Sequence, residues 1–359
     1  MKTALKLSVI ALSVALAACS SSDDKTEEVT QGEIYGPYST GSISESSFVY
    51  FDLDTGATVD LTAEQAATDT VWDIAFKRTS VVLNANNADA PVSVYDTGNN
   101  ADFWDADGKA VVASFTAATP DSELQDYLDV TAENIPSDDT MFTNDVTESI
   151  LAGFYNYDFT THAVTAAADK FYVVKHGETF SKFNVSSLVQ DSMVASEITL
   201  NIAYDFGEAT ELALNADAEC GDASHVYVDF ATLSAVAADA TYDVAIPCVE
   251  GDGFDYELVL ADSATAYQDF ANTIADADTA STYSSYGYFK TNEYTISAFS
   301  DLNWYAYGIE GNHKLWSKYG VYIVKSGDKH FKFQVTSYYD ADGNSGNYSF
   351  RADELVAAQ

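Results

Sequence analysis

The chain is short of basic residues: 16 Lys and Arg face 56 Asp and Glu, a formal net charge of −40. A polyanion of this size is repelled by nucleic-acid phosphates and by anionic lipid headgroups, so the composition excludes nucleic-acid binding. Aromatic residues are abundant at 13%, and the charged fraction is ordinary at 20%. We therefore expect a folded, strand-rich protein and not a disordered one.

The chain also lacks the signatures of the common enzyme classes. It contains no Gly-x-Ser-x-Gly elbow, no glycine-rich phosphate loop and no His-Glu-x-x-His zinc motif. Carboxylates are so numerous that pairs suited to acid–base chemistry would arise by chance. The sequence therefore predicts a protein that is not an enzyme.

The first segment is typical of a bacterial lipoprotein leader. Lys2 and Lys6 form a basic region, and the apolar run Leu7–Ala15 is too short to span a bilayer. The next four residues, Leu-Ala-Ala-Cys, form a lipobox that ends at Cys19. We expect residues 1–18 to be a signal peptide. The alternative is an ordinary signal peptide with an incidental cysteine.

Lipid attached to Cys19 would anchor the mature protein without a transmembrane helix. Residues 19–33 are polar and predict a flexible tether that cannot bury a core. Ser20 is not acidic, and by resemblance to other Gram-negative lipoproteins this favours the outer membrane.

The sequence repeats itself after about 150 residues. In the gap-free part of the repeat, three residues recur 150 positions later: Tyr155 as Tyr305, Tyr172 as Tyr322, and Lys182 as Lys332. Each copy also has a histidine in a loop between two tyrosine-rich strands, His162 and His313. A repeat of this length indicates tandem domains, because solenoid repeats are roughly 20–50 residues long.

The repeat extends upstream with larger offsets. Two matched pairs lie 177 and 170 positions apart: Tyr50 with Tyr227, and Asp73 with Asp243. The declining offsets indicate shorter loops in the second copy. We expect two antiparallel all-β domains with short helices, residues 34–205 and 206–359, whose cores superimpose.

Once Cys19 is lipid-modified, two of the three cysteines remain. Cys220 precedes a predicted strand at 225–230, and Cys248 follows another at 242–246. An even pair in an oxidising compartment predicts a disulfide, with two free thiols as the alternative. A cysteine metal site is a weak hypothesis, because no Cys-x-x-Cys spacing exists.

Local patterns predict several elements. Glu197–Ile202 alternates polar and apolar residues, which indicates a half-buried strand. Asp52–Gly56 and Asp340–Gly343 lie between apolar runs and predict hairpin turns. A calcium loop is the alternative for the second turn, although the distal Glu of an EF-hand is absent.

Two stretches have helical character, Ser122–Leu128 and Thr265–Asp276. Ser122 could cap the first helix. The two stretches fall at comparable places in the two halves, which again favours duplication.

The chain resembles the HmuY-like haem-binding lipoproteins in several segments: Phe48–Gly56, Trp72–Arg78 followed by Leu83 and Asn84, Gly153–His162 leading into Phe171–Lys175, and Lys332–Gly346. The resemblance covers nearly all of 34–204, is good over 286–355 and is weaker between them. It implies an all-β lipoprotein at the outer membrane. It also implies that the protein captures haem and passes it to a TonB-dependent receptor.

The resemblance further implies axial iron ligands in the loops ahead of the Val-Tyr-Val-Val-like strands, where His162 and His313 lie. Flanking aromatics could wall a porphyrin: Tyr155, Tyr157, Tyr305 and Tyr307. The anionic propionates would need local cations, and four lysines lie near the histidines in sequence: Lys170, Lys175, Lys314 and Lys318.

A second axial ligand is not evident, because residues 100–150 contain no histidine and Met141 is their one methionine. The two domains could share one haem, or haem binding could be lost. The alternative function is a surface lipoprotein that uses the same scaffold to bind a receptor, polysaccharide or protein. In that case both loop histidines are ordinary surface residues, as we expect for His176, His225 and His330.

Overall fold

The computed structural model describes residues 32–249, 253–270 and 287–356, with positions 274, 280 and 284. From Gly32 onward the chain forms one compact unit. Within the described ranges it is mostly antiparallel β-sheet with a few short helices, which confirms the predicted all-β class. The predicted leader, Cys19 and most of the tether lie outside the described residues.

The first thirteen strands are β1 (Ile34–Ser39), β2 (Val49–Asp52), β3 (Ala57–Val59), β4 (Ile74–Lys77), β5 (Ser80–Leu83), β6 (Ser93–Asp96), β7 (Thr143–Asn144), β8 (Val146–Ser149), β9 (Tyr155–Tyr157), β10 (Val164–Ala166), β11 (Tyr172–His176), β12 (Thr179–Asp191) and β13 (Val194–Ala203). The other described strands are β14 (Thr210–Asn215), β15 (His225–Asp229), β16 (Ser234–Val236), β17 (Val244–Val249), β18 (Gly253–Phe254), β19 (Val259–Leu260), β20 (Ala264–Gln268), β21 (Glu293–Ile296), β22 (Tyr305–Tyr307), β23 (Leu315–Ser317), β24 (Tyr322–Ser326), β25 (Lys329–Tyr339) and β26 (Ser345–Glu354). The described α-helices are α1 (Ala63–Ala66), α2 (Val112–Ala117), α3 (Leu124–Asp129) and α4 (Ala216–Glu219).

Both predicted hairpin turns are present, and an aspartate shapes each. The Asp52 carboxylate accepts the N–H of Asp54 at 2.9 Å between β2 and β3. The Asp340 carboxylate accepts the N–H of Asp342 at 3.0 Å between β25 and β26. Short carboxylate side chains that bond to the backbone two residues on favour such turns. The predicted strand at 197–202 lies within β13, with its apolar residues buried.

One of the two predicted helices is present, and the other is absent where the structure describes its residues. The first is α3, which begins at Leu124, but Ser122 does not cap it: the Ser122 hydroxyl donates to the carbonyl of Thr119 and to Glu123. The second is wrong over the described residues 265–268, which belong to β20 and pair with β11. Their alternating burial is the two-residue period of a strand. Most of 269–276 lies outside the described residues.

Two apolar cores organise the chain. The first lobe has a six-stranded sheet in the order β1-β26-β25-β24-β6-β7, a four-stranded sheet β3-β2-β4-β5, and the hairpin β22–β23. Its core includes Phe51, Phe76, Tyr322, Phe333 and Phe350, all fully buried. The sheets stack their aromatic side chains on one another, as between Phe76 and Phe350 at 5.0 Å.

The second lobe is built around a ten-stranded sheet whose main path is β16-β15-β17-β18-β13-β12-β11-β20, with β14 on β13 and β19 on β17. The hairpin β9–β10 lies beside it. Its core includes Tyr172, Phe183, Val228, Ile246 and Phe254, all fully buried. Strands β8 and β21 pair with each other where the chain passes between the lobes.

The predicted boundary at 205–206 does not separate these cores, and this part of the domain prediction needs correction. In the first lobe β6 pairs with β24, and in the second lobe β11 pairs with β20. Each lobe therefore joins the first part of one copy to the last part of the other. A sequence repeat shows which segments are alike, but it cannot show which copy supplies the packing partner.

Candidate functional site

The two histidine loops are the tips of two equivalent β-hairpins. β9 pairs with β10, and β22 pairs with β23, each over three residues. In the first tip, the Asp158 carboxylate accepts the N–H of Thr160 at 2.7 Å, and the Asp158 carbonyl accepts the N–H of His162 at 2.7 Å. These bonds turn the chain sharply and place His162 at a positive φ of 58°.

Each histidine contacts a tyrosine of its own hairpin. Nδ1 of His162 lies 2.5 Å from the Tyr157 hydroxyl, and Nδ1 of His313 lies 2.9 Å from the Tyr307 hydroxyl. If Nδ1 carries the proton and donates to the tyrosine oxygen, the lone pair of Nε2 is left for a metal ion. Both imidazoles are exposed. The hairpins therefore present two oriented imidazoles at the surface.

A large groove of about 1430 Å³ lies under the second hairpin. This exceeds the ~300–1,000 Å³ usual for small-molecule sites. His313 lines it together with eight aromatic side chains: Phe48, Tyr50, Trp72, Tyr288, Tyr294, Tyr307, Tyr338 and Tyr339. Its walls come from the first lobe, from the junction strands β8 and β21, and from the segment ahead of β21 that includes Lys290, which exchanges main-chain hydrogen bonds with Ala266 of β20. The crossing of the chain therefore helps to form the groove.

Three cations line the same groove: Lys77, Arg78 and Lys290. No carboxylate pairs with any of them within the described part of the chain. Burial of its ammonium group lowers the pKa of Lys290, and the charge of Lys77 lowers it further, although the residue as a whole is exposed. Two lysines are thus close enough to repel each other, and an anion between them would relieve the repulsion.

The single acidic residue among the groove's described lining is Asp145, and its carboxylate is already bonded. One oxygen accepts the N–H of Leu83 and the other accepts the N–H of Ala298, each at 2.8 Å. Burial raises the pKa of Asp145 to about 6, against the opposing effect of these two bonds. Asp145 forms no ion pair with the three cations among the described residues, so positive charge predominates in the lining of the groove, in a chain with a net charge of −40.

The first hairpin has a smaller groove, of about 530 Å³. Tyr155, Tyr157 and Phe159 line it with Tyr256, and its charged lining residue is Glu257. Phe159 is 85% exposed. His162 is not among its lining residues. The two hairpins are therefore alike in local structure but unlike in surroundings, and the groove at His313 suits an anion better.

The structure distributes the sequence-predicted site residues between the two lobes. Tyr307 and His313 line the large groove, and Tyr155 and Tyr157 line the small one. Tyr305 packs against the core of the first lobe. Sequence reasoning missed the three groove cations. Lys77 and Arg78 lie more than 200 positions from His313 and Lys290 lies about 20 positions from it, so only folding brings them near it.

The lysines expected to serve the histidines are engaged elsewhere. Lys314 lies over the ring of Trp316 at 3.8 Å, and Lys318 pairs with Asp96 at 3.3 Å. On the first copy, Lys170 lies 5.0 Å from the ring of Phe270. Proximity in sequence was a poor guide here, because successive residues of a strand point to opposite faces.

Cys220 and Cys248 form a disulfide in the structure, with Cα atoms 5.8 Å apart. It links the end of α4 to β17 in the second lobe, and neither cysteine lines a groove. Across the described ranges, no group of three or more His, Cys, Asp or Glu side chains could hold a metal ion. No described helix is long and apolar enough to cross a membrane.

The fold and its aromatic hairpins define an antiparallel β protein with surface grooves. Residues 44–206 match the family model for the HmuY protein. No curated protein matches the chain.

Three solved structures are similar to the chain. A candidate HmuY-like heme-binding protein from Bacteroides vulgatus ATCC 8482 is 12% identical, covers 93% of this chain and 97% of its own, and has a TM-score of 0.29. A candidate lipoprotein from Bacteroides fragilis NCTC 9343 is 14% identical over 48% of this chain and 95% of its own, with a TM-score of 0.18. An apo HmuY analog from Tannerella forsythia is 9% identical over 60% and 96%, with a TM-score of 0.18. Superpositions this loose transfer no site residues.

Proposed function

We propose that the protein binds haem in the large groove, with His313 as an iron ligand, for haem and iron acquisition. The observation that carries the proposal is the meeting of His313 with three cations that lack carboxylate partners in an otherwise acidic chain. The match of residues 44–206 to the HmuY family supports the same ligand.

The residues of the groove fit haem in three respects. Eight aromatic side chains offer apolar walls for a porphyrin face. Lys77, Arg78 and Lys290 offer charge-assisted hydrogen bonds to two propionates. The His313 imidazole offers a neutral nitrogen, and Tyr307 at its Nδ1 fixes the ring and tunes its basicity. Bound haem would supply a Soret band from its porphyrin ring, and the position of that band would depend on the axial ligand of the iron.

His162 remains a second proposed ligand, on the first hairpin. Its groove has no described cation in its lining, so we expect it to contribute less than His313 to haem affinity. We further propose a lipid anchor at Cys19 that places the protein on the outer membrane, and delivery of haem to a TonB-dependent receptor. The alternative is a non-haem surface lipoprotein whose exposed tyrosines contact a receptor, polysaccharide or protein.

A hemin titration monitored by absorption tests the proposal. Wild-type protein should shift the Soret band, and His313→Ala should abolish or displace the shifted band, because the ligand to iron is lost. His162→Ala should have a smaller effect, and His225→Ala, a surface histidine on β15, serves as the matched control. A wild type that leaves the hemin spectrum unchanged would favour the alternative. An unaltered spectrum in the His162→Ala, His313→Ala double variant would exclude both histidines.

A further inference from the structure

A candidate site of a different kind lies in the second lobe, where the imidazole of His176 lies between a carboxylate and a hydroxyl. Its Nδ1 lies 2.9 Å from Oδ1 of Asp243, and its Nε2 lies 2.9 Å from Oγ of Ser263. Asp243 and Ser263 lie 67 and 87 positions from His176, so no short sequence motif contains the three residues. They come from the end of β11, the segment before β17, and the turn before β20.

When the imidazole of His176 is neutral, the protons in this cluster have one consistent arrangement. An ionised carboxylate only accepts, so Nδ1 of His176 must donate to Asp243. The neutral imidazole then has a bare Nε2, which accepts the hydroxyl proton of Ser263. This is the tautomer that lets an imidazole act as a general base toward a serine.

The supporting structure fixes each member. The second oxygen of Asp243 accepts the N–H of Phe230 at 2.8 Å, and its side chain is only 10% exposed. β11 pairs with β20 and places His176 opposite Ala264, next to Ser263. Ser263 itself lies in a turn closed by a bond from the N–H of Ala264 to the carbonyl of Ala261, at 2.9 Å. The geometry therefore rests on paired strands and a buried carboxylate.

Comparison with the equivalent position in the first lobe argues against a purely structural role for this cluster. There the Asp73 carboxylate accepts the N–H of Leu53 and the hydroxyl of Ser326, the residue 150 positions after His176. One hydroxyl is thus enough to complete that carboxylate's bonding. In the second lobe an imidazole takes the hydroxyl's place and carries a further, exposed serine on its far side.

The serine is accessible and has potential oxyanion donors beside it. Ser263 is exposed, and within the described residues the main-chain N–H groups of Asp262 and Ser263 have no hydrogen-bond acceptor. Two aromatic rings, Tyr227 and Tyr242, have centroids 4.8 Å apart, and burial followed by the charge of nearby Asp262 raises the pKa of Tyr242. An acyl group could rest against these rings while its carbonyl oxygen meets the free N–H groups.

We propose that Ser263 is a nucleophile, with His176 as its base and Asp243 as a positioning residue, in the hydrolysis of small carboxylic esters. The serine oxygen bonds to the carbonyl carbon as its proton passes to Nε2 of His176. The bond to the leaving alcohol breaks, and that alcohol takes the proton. Water, activated in turn by His176, then releases the acid and restores the serine. Water is the sole co-reactant.

A serine-reactive fluorophosphonate, with mass spectrometry to locate the adduct, tests the proposal on the full chain. The adduct should form on Ser263, and His176→Gln should slow labelling by about 100-fold, because general-base catalysis contributes at least that much. Ser263→Ala should abolish labelling and lower the hydrolysis of p-nitrophenyl butyrate. Ser192→Ala, an exposed serine at another turn, should change neither.

Thermal unfolding of each variant distinguishes a loss of serine reactivity from a loss of stability. A purely structural cluster predicts a lower melting temperature in His176→Gln without any change in labelling. Absence of an adduct on wild-type Ser263, or equal labelling in wild type and His176→Gln, would overturn the proposal. Neither result bears on the proposed haem ligand His313, whose groove has none of these three residues in its lining.

Discussion

The hydroxyl of Ser326 donates a hydrogen bond to the carboxylate of Asp73, 253 positions earlier in the chain. In the second lobe the equivalent contact joins His176 to Asp243, only 67 positions apart. The first contact links the beginning of one copy to the end of the other, and the second links the end of one copy to the beginning of the next. The two lobes therefore contain the same set of contacts. In each lobe, the two segments that make these contacts come from different copies of the repeat.

The two crossing points of the chain are also equivalent. Just before β8, Asp145 accepts the N–H of Leu83 at 2.8 Å, and just before β21, Asn292 accepts the N–H of Leu260 at 2.7 Å. β8 and β21 then pair antiparallel, Val146 with Ile296 and Ser149 with Glu293. This is the geometry of exchanged segments in a domain-swapped dimer, here within a single chain.

Asp145 should make the stability of the protein depend on pH in a particular direction. Burial raises its pKa to about 6 from 3.8. The folded state then binds its proton more tightly than the unfolded state, so its contribution to stability is present below pH ~4 and is lost as the pH rises through 6. About 2 pKa units correspond to about 3 kcal/mol.

Asp145→Asn removes this titration. Urea unfolding of wild type and variant between pH 4 and 8 should show the wild type losing stability relative to the variant as the pH rises. The variant should also be weaker at pH 4, by about 1–3 kcal/mol, because one buried N–H loses its acceptor. Exposed Asp107→Asn is the control. A difference between wild type and variant that stays constant with pH would contradict the assignment.

The elements that sequence could predict are those with local causes. The alternation at 197–202 and the aspartate-led turns at Asp52 and Asp340 depend on neighbouring residues, and the structure has them. The helix predicted at 265–276 failed because β11 offers 264–268 a pairing partner about 90 residues away. The exchange of segments and the groove cations depend on contacts between distant parts of the chain, which one sequence does not encode locally.

Lys77 and Lys290 should contribute to hemin affinity if propionates occupy the groove. Each Lys→Gln substitution should weaken binding by about 10-fold at low salt, because a charge-assisted hydrogen bond is lost. The loss should shrink as salt rises. Titration of hemin and of iron-free protoporphyrin separates this effect from ligation by His313. Lys109→Gln, an exposed lysine outside the groove, is the control, and equal affinities in all variants would exclude the groove as the propionate site.

The Cys220–Cys248 disulfide should stabilise the second lobe. Closing a loop with a sequence separation of 28 residues corresponds to about 3–4 kcal/mol of chain entropy. Cys220→Ser with Cys248→Ser should lower the urea midpoint, and reductant should do the same to the wild type alone. Mass spectrometry of the non-reduced protein supplies the direct check. Two free thiols, or a midpoint insensitive to reductant, would reject the bond.

The lipid anchor at Cys19 can be tested by fractionation. In a Gram-negative host, wild-type protein should partition into detergent and sediment with the outer membrane, because an acyl chain gains about 0.8 kcal/mol for each buried CH₂. Cys19→Ala should appear in soluble fractions. Cys248→Ser controls for the loss of a cysteine as such. Unchanged detergent partitioning of Cys19→Ala would mean that another feature holds the protein at the membrane.

The exchange of segments predicts what happens when the chain is cut at its predicted domain boundary. The loop between Phe206 and Thr210 is mostly exposed, and a protease site inserted there would split the chain into its two sequence copies. Independent tandem domains would then separate on size exclusion. The exchanged lobes should instead hold both fragments in one particle, because β6 pairs with β24 and β11 pairs with β20. The fragments should part only in denaturant, which confirms that cleavage was complete. Two folded fragments that elute separately in native buffer would show that the copies pack as independent domains.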